Sequence, residues 1–168
     1  MTEPLKLEGL IGVLIDHDVA FVIVGGFAVV AHGYVRATKD VDICPDPAED
    51  NLRRLAAALA ELEAEPLGLD GFAPEEFDLR PDHEGLQLGG NWTLRTKYGR
   101  LDVLQHIKGL GGDEGGWKEL SRHAIPSNFV GHECLFASYE ELLSMKRAAG
   151  RPQDEFDIKS LKAARGEL

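Results

Sequence analysis

Phe21-Val22-Ile23-Val24 is a short apolar run that stops at Gly25-Gly26, and thirteen residues later the chain reads Asp40-Val41-Asp42. An apolar, largely β-branched run bounded by glycines predicts a buried strand with a tight exit. The next segment, Arg36 to Cys44, alternates with period two until Pro45 and Pro47 stop it. Successive side chains on a strand point to opposite faces. Arg36, Thr38, Asp40 and Asp42 therefore share one face, and Val41 and Ile43 share the other. Two carboxylates on one strand face repel each other, and a divalent cation relieves that repulsion. Donors that are all oxygen suit Mg2+ or Mn2+ rather than zinc.

Trp92 to Gln105 alternates again around Lys97-Tyr98-Gly99-Arg100, which predicts a β-hairpin. Its second strand carries Asp102 between Leu101 and Val103. If that hairpin pairs beside the Asp40–Asp42 strand, the three acids converge. The two glycines, lying between a strand and a helix start, allow a phosphate chain to approach the backbone. Free N–H groups and the helix dipole favour negative charge there.

The remaining segments frame these motifs. Leu7, Leu10, Ile11, Leu14 and Ile15 recur at helical spacing and predict a first helix ending near Asp16-His17-Asp18. Phe27 to His32 reads as a short helix closed by Gly33. Asp46 followed by Glu49 resembles a capping box opening a helix with Leu52, Leu55, Leu59 and Leu62 on one side. Residues 66–90 show no period and predict an irregular excursion with at most a short strand. Gly109 to Gly116 holds five glycines and reads as a connector. Ser138 and Glu141 form a second capping box, opening a helix that stops near Gly150. Pro152 suits the first turn of a last helix, with Phe156 and Leu161 expected to face inward.

The chain has 168 residues, 18 basic and 29 acidic, for a net charge of −11. Residues 45–90 alone carry 12 acids and 3 bases. A chain this acidic is a poor non-specific DNA binder, because affinity for polyanions comes mainly from neutralised phosphates. The longest apolar run, Ala20 to Ala31, is shorter than the ~20 residues a membrane span needs. Met1-Thr2-Glu3-Pro4 lacks the basic stretch of a secretion signal. Cys44 and Cys134 are too few for a disulfide framework, so a reducing cytoplasm is the expected location. His123, His132 and Cys134 do not have zinc-site spacing, because no second ligand pair accompanies them.

The ordered set of motifs resembles the nucleotidyltransferase superfamily related to DNA polymerase β. Val24-Gly25-Gly26-Phe27-Ala28, His32-Gly33 and Arg36-x-Thr38-x-Asp40-Val41-Asp42 are similar to small bacterial members found in toxin–antitoxin and abortive-infection systems. Thr96 to Leu104 resembles their third-carboxylate strand, and Lys146 to Asp157 their C-terminal Lys…Arg…Asp-x-x-Asp signature. The resemblance implies an α/β (α+β) fold, a short mixed β-sheet flanked by helices with a C-terminal helical tail. It implies one domain over 1–168, with a core at about 20–108 and a helical part at about 117–168. It further implies that Asp40, Asp42 and Asp102 are catalytic and hold Mg2+ or Mn2+. Gly25, Gly26, Arg36, Thr38, Lys146 and Arg151 would bind the nucleoside triphosphate. Arg151, Asp154 and Asp157 are equally consistent with a structural ion-pair cluster.

The reaction implied is attack of an acceptor hydroxyl on an NTP with release of pyrophosphate. A macromolecular acceptor, protein or tRNA, fits a toxin held by an antitoxin protein. A small-molecule acceptor such as an antibiotic, or a non-catalytic antitoxin-like or regulatory module, is the alternative. Fold alone does not choose among them. A tRNA-modifying enzyme needs a basic surface beside the acids, built from Arg95, Lys97, Arg100, Lys146, Arg147 and Arg151. A small cationic acceptor needs an acidic cleft instead.

Overall fold

The four residues of the apolar run are buried on both sides, which requires layers above and below that strand. A computed structural model describes residues 4–34, 37–68, 80–110 and 116–167. In chain order the elements are α1 (Leu7–Asp16), β1 (Phe21–Val24), α2 (Gly25–Ala31), β2 (Asp40–Pro45), α3 (Glu49–Glu61), β3 (Glu65–Gly68) and α4 (His83–Gln87). There follow β4 (Trp92–Thr96), β5 (Gly99–Val103), α5 (Trp117–His123), β6 (Ile125–Phe129), β7 (His132–Phe136), α6 (Tyr139–Ala149) and α7 (Pro152–Ala164). Among the described residues one seven-stranded sheet runs in the order β3-β4-β5-β2-β1-β7-β6. It is mixed. β1–β2, β3–β4, β4–β5 and β6–β7 are antiparallel, whereas β2–β5 and β1–β7 are parallel.

The register sorts side chains onto two faces. Val41 pairs with Leu101, Ile43 with Val103 and Ile23 with Ile43. These residues join Leu10, Ile11 and Leu14 of α1 and Leu52, Leu55 and Leu59 of α3 in the main core. On the other face Val22, Val24 and Cys44 pack against Leu120 of α5 and Ala137. Asp40 and Asp42 continue the line of Cys44. That face is therefore apolar at one end and acidic at the other.

Several local expectations change. Helix α2 begins at Gly25 rather than Phe27, because Gly25 itself turns the chain with φ +68°. Asp46 does not cap α3. Ala48 holds the N-cap position, and the Asp46 carboxylate accepts the Ala48 N–H at 2.9 Å. The stretch 66–90 supplies β3 and α4, with residues 69–79 outside the described set. Part of the connector, 111–115, is likewise outside it. The part expected to be helical beyond residue 117 contains the hairpin β6–β7, whose second strand completes the sheet beside β1. Ser138 caps α6 as expected, accepting the Glu141 N–H at 3.3 Å.

The inward stripe of α7 is Asp154, Asp157 and Leu161, all buried. Phe156 stays 56% exposed, edge-on to the Tyr34 ring. The spacing of that stripe is helical, but two of its members are acids.

Asn51 on α3 joins this helix to the chain before β1. Its carbonyl accepts the Ala20 N–H at 2.8 Å, and its amide donates to the Ala20 and Asp46 carbonyls at 2.9 Å. Asn51 is fully buried. Replacement by alanine removes these partners, so Asn51→Ala is expected to lower stability by about 1–3 kcal/mol. Urea unfolding checks this, with an unchanged slope and a lower midpoint.

Candidate active site at the acidic end of the sheet

Parallel pairing of β2 with β5 sets Asp42 opposite Asp102 and Asp40 opposite Arg100. Equal sheet position means one face, so all four side chains project to the same side. This register brings the Asp42 and Asp102 carboxyls side by side on that face. Arg100 Nε lies 3.3 Å from Asp102 Oδ1 and 3.8 Å from Asp40 Oδ2. Three carboxylates face one guanidinium here, so two negative charges remain when all are ionised.

Gly25 forms the wall beside them. Its φ of +68° is a conformation that a side chain resists, and a Cβ built there would stand 2.0 Å from Asp42 Oδ2. The Asp42 carboxylate therefore rests on a backbone that only glycine can supply. Gly26 is buried as the second residue of α2. Thr38 precedes the strand, and its hydroxyl donates to the Asp40 carbonyl at 3.3 Å. Arg36 lies outside the described residues.

Burial pushes the Asp42 carboxyl up to about 8, helped by the charge and hydrogen bond of Asp102 and by the charge of Asp40; Lys146 pulls it back. Burial also raises Asp102, against the hydrogen bond from Asp42 and the charge of Arg100. Excess negative charge held out of water calls for a cation. The donors are carboxylate oxygens only, which fits a hard divalent ion such as Mg2+ or Mn2+. Among the described residues, however, the group whose donor atoms all stand within 4.8 Å of one another is Glu119, His123 and Glu141, a different place. The sheet acids form an open cluster, not a closed cage.

A second charged group borders the first. Lys146, in the last turn of α6, is buried with its Nζ 3.0 Å from Asp157 Oδ2 and 3.4 Å from Asp154 Oδ1. Arg151 caps α7, and its guanidinium grips Asp154 at 2.7 and 3.1 Å. Burial raises Asp154, but the bonds from Arg151 and the charge of Lys146 outweigh it and hold its carboxyl below the usual range. The hydrogen bond to Asp154 raises Arg151, and Asp42 adds to that pull, so this group stands within electrostatic reach of the sheet acids. Two cations meet two carboxylates, a balanced network.

Sequence reasoning named Arg100 only as part of a basic surface beside the acids and missed its pairing with Asp40 and Asp102. The signal was available: Arg100 lies two residues before Asp102 on an alternating strand. His32, within the quoted motif, bonds the Ala137 carbonyl at 2.8 Å and ties α2 to the chain after β7.

No protein-family model and no curated protein sequence matches the chain, so its likeness to known proteins is one of backbone. The lincosamide antibiotic adenylyltransferase LnuA, solved with lincomycin bound, superposes with a TM-score of 0.62 at 17% identity. The match covers 96% of this chain and 99% of that one. ANT(2'')-Ia, solved with adenylyl-2''-tobramycin, gives 0.56 at 15% identity over 94% of this chain and 86% of its own. This chain has the nucleotidyltransferase fold. A nucleotidyltransferase-like protein of Paracoccidioides brasiliensis shares that fold at a TM-score of 0.52 and 18% identity, covering 96% of this chain and 78% of the other. The nucleotidyltransferase fold matches the α/β architecture implied by the motif order, a mixed sheet with flanking helices.

The raised Asp42 value has a consequence for stability. Between the ordinary 3.8 and about 8 the folded protein keeps a proton that the unfolded chain has released. Stability therefore falls as pH rises through that window. In EDTA-treated protein, unfolding midpoints are expected to drop from pH 5 to pH 8, with a shallower drop in Asp42→Asn. Equal slopes in both proteins would contradict the assignment.

Proposed function

We propose that this chain is a divalent-metal-dependent nucleotidyltransferase that moves a nucleoside monophosphate from an NTP to a hydroxyl of a small acceptor. The observation that carries the reading is the cluster of acids beside Gly25: Asp40, Asp42 and Asp102 share one sheet face, with Arg100 as the cation paired among them. Asp40 and Asp42 hold the metal with Asp102, and the backbone at Gly25 and Gly26 receives the triphosphate. Lys146 and Arg151, held by Asp154 and Asp157, would meet the triphosphate from the side of α6 and α7. Thr38 holds the start of β2. The NTP is substrate, and Mg2+ or Mn2+ is the cofactor that this donor set suits.

Bound there, a divalent ion neutralises phosphate charge and makes an acceptor hydroxyl easier to ionise. The residues do the rest by position. Asp102, beside Asp42 on the same face and mostly screened from water, would take the proton of the acceptor hydroxyl. The acceptor oxygen forms a bond to the α-phosphorus, the bond to the bridging oxygen breaks, and pyrophosphate leaves. Arg100 keeps Asp102 and Asp40 oriented. Catalysis of this kind is mostly alignment and charge compensation.

The acceptor half of the proposal rests on where the basic side chains are engaged. Arg95 pairs with Glu65, Arg100 with Asp40 and Asp102, Lys146 with Asp154 and Asp157, and Arg151 with Asp154. Four of the six bases that a tRNA surface would need are thus paired with carboxylates, so little net positive charge is left there for an extended polyanion. A small, positively charged acceptor suits the remaining negative field. LnuA and ANT(2'')-Ia, solved with an antibiotic and an adenylylated antibiotic, lend the same direction. A toxin acting on tRNA or protein, with an antitoxin partner, is the competing outcome. Buried, unpaired Cys44 and Cys134 suit a cytoplasmic location. No helix among the described residues is long and apolar enough to cross a membrane.

Calorimetry is expected to show NTP binding only with Mg2+ or Mn2+, and Asp42→Ala to abolish that dependence. Transfer should fall by roughly a hundredfold or more, since several kcal/mol of charge stabilisation is removed. Incubation of each labelled NTP with aminoglycosides, lincosamides, tRNA and cell protein separates the acceptors. Label in RNA or protein overturns the small-acceptor reading, and metal-independent NTP binding overturns the enzyme.

A further inference from the structure

Away from the sheet acids, Glu119 and His123 lie four residues apart on α5, so both project from one helix face. Glu141, in the first turn of α6, meets them there. One donor atom from each of the three lies within 4.8 Å of the others. His123 Nε2 is 3.9 Å from Glu141 Oε1. The Glu141 side chain is 13% exposed and is fixed by Ser138, whose hydroxyl donates to its carboxylate while accepting the Glu141 N–H. Such an outer hydrogen bond aims a metal-binding carboxylate and holds its rotamer. Arg122 sits 3.6 Å from Glu119 in a largely exposed pair, which gives way readily because such pairs are worth little.

We propose that Glu119, His123 and Glu141 bind a transition-metal ion of the zinc class, clamping α5 to the N-terminal end of α6. The imidazole decides the class. Mg2+ takes oxygen donors, whereas an imidazole with two carboxylates suits Zn2+, and three protein ligands leave a fourth position for water. None of these residues belongs to the triphosphate site, so the inference stands apart from the proposed reaction. The clamp has a structural use. Leu120, between Glu119 and His123, is buried against Val22, Val24 and Cys44, so fixing α5 also fixes the apolar cover of the sheet face that bears Asp42.

The test uses full-length, tag-free protein stripped with EDTA and titrated with Zn2+ in excess Mg2+, which keeps the sheet acids supplied with their own ion. Calorimetry is expected to show one equivalent of Zn2+ bound, together with a rise in unfolding temperature. His123→Ala and Glu119→Gln, both at exposed or half-exposed positions, should each weaken binding by roughly tenfold or more and remove the thermal shift. Asp42→Ala should leave zinc binding intact. The proposal is overturned if no equivalent binds, if both variants keep wild-type affinity, or if Asp42→Ala abolishes the binding.

Discussion

The pairing of β2 with β5 puts two acids opposite each other on neighbouring strands, an arrangement that costs stability in a sheet. The cost is carried by the reverse side of the same strands. Val41, Ile43, Leu101 and Val103 are fully buried in the main core, and a one-residue slip would expose all of them. Register is thus set by apolar burial, and the acids follow because they occupy the alternate positions. The strands hold the carboxylates together against their own repulsion. Gly25 closes the arrangement by leaving no side chain where Asp42 sits.

The charge network of α6 and α7 obeys a different logic. Lys146, Arg151, Asp154 and Asp157 are internally balanced, and both carboxylates are fully buried. Buried charges persist only when paired and hydrogen-bonded, and here Gln153 adds a bond to Asp157 at 2.9 Å. Such a network specifies how the two helices meet. Because α6 ends at this network, Lys146 is held near the sheet acids by its partners on α7. The alternatives of phosphate contact and structural ion pair are then compatible, since the pairing positions the cation.

Period-two alternation made β2, β4 and β5 readable, along with the face of each acid, because a half-buried strand leaves that imprint directly. The glycine pair was readable because a close backbone approach has no other residue. The last helix was harder. A rule that counts apolar residues places Phe156 inside, while the stripe 154-157-161 is legible only if carboxylates are allowed to face inward with partners from another helix. The β6–β7 hairpin was missed for a related reason. Its first strand is an exposed edge and its second contributes only Cys134 and Phe136 to the interior, so neither leaves a strong pattern. The Glu119, His123 and Glu141 group was invisible because its third member comes from a separate helix.

The two clusters of ligand-type side chains divide the molecule by chemistry as well as by place. The sheet acids offer oxygen alone, from strands whose spacing is set by backbone hydrogen bonds. The helical group offers an imidazole and two carboxylates, from helices that can adjust by small shifts. A hard ion that demands oxygen and a borderline ion that accepts nitrogen would therefore sort between them without any difference in size. The sorting matters because a zinc-class ion bound among the sheet acids would compete with the Mg2+ or Mn2+ that suits them. An imidazole elsewhere on the surface draws such an ion away, and the buried leucine beside it turns that binding into support for the sheet.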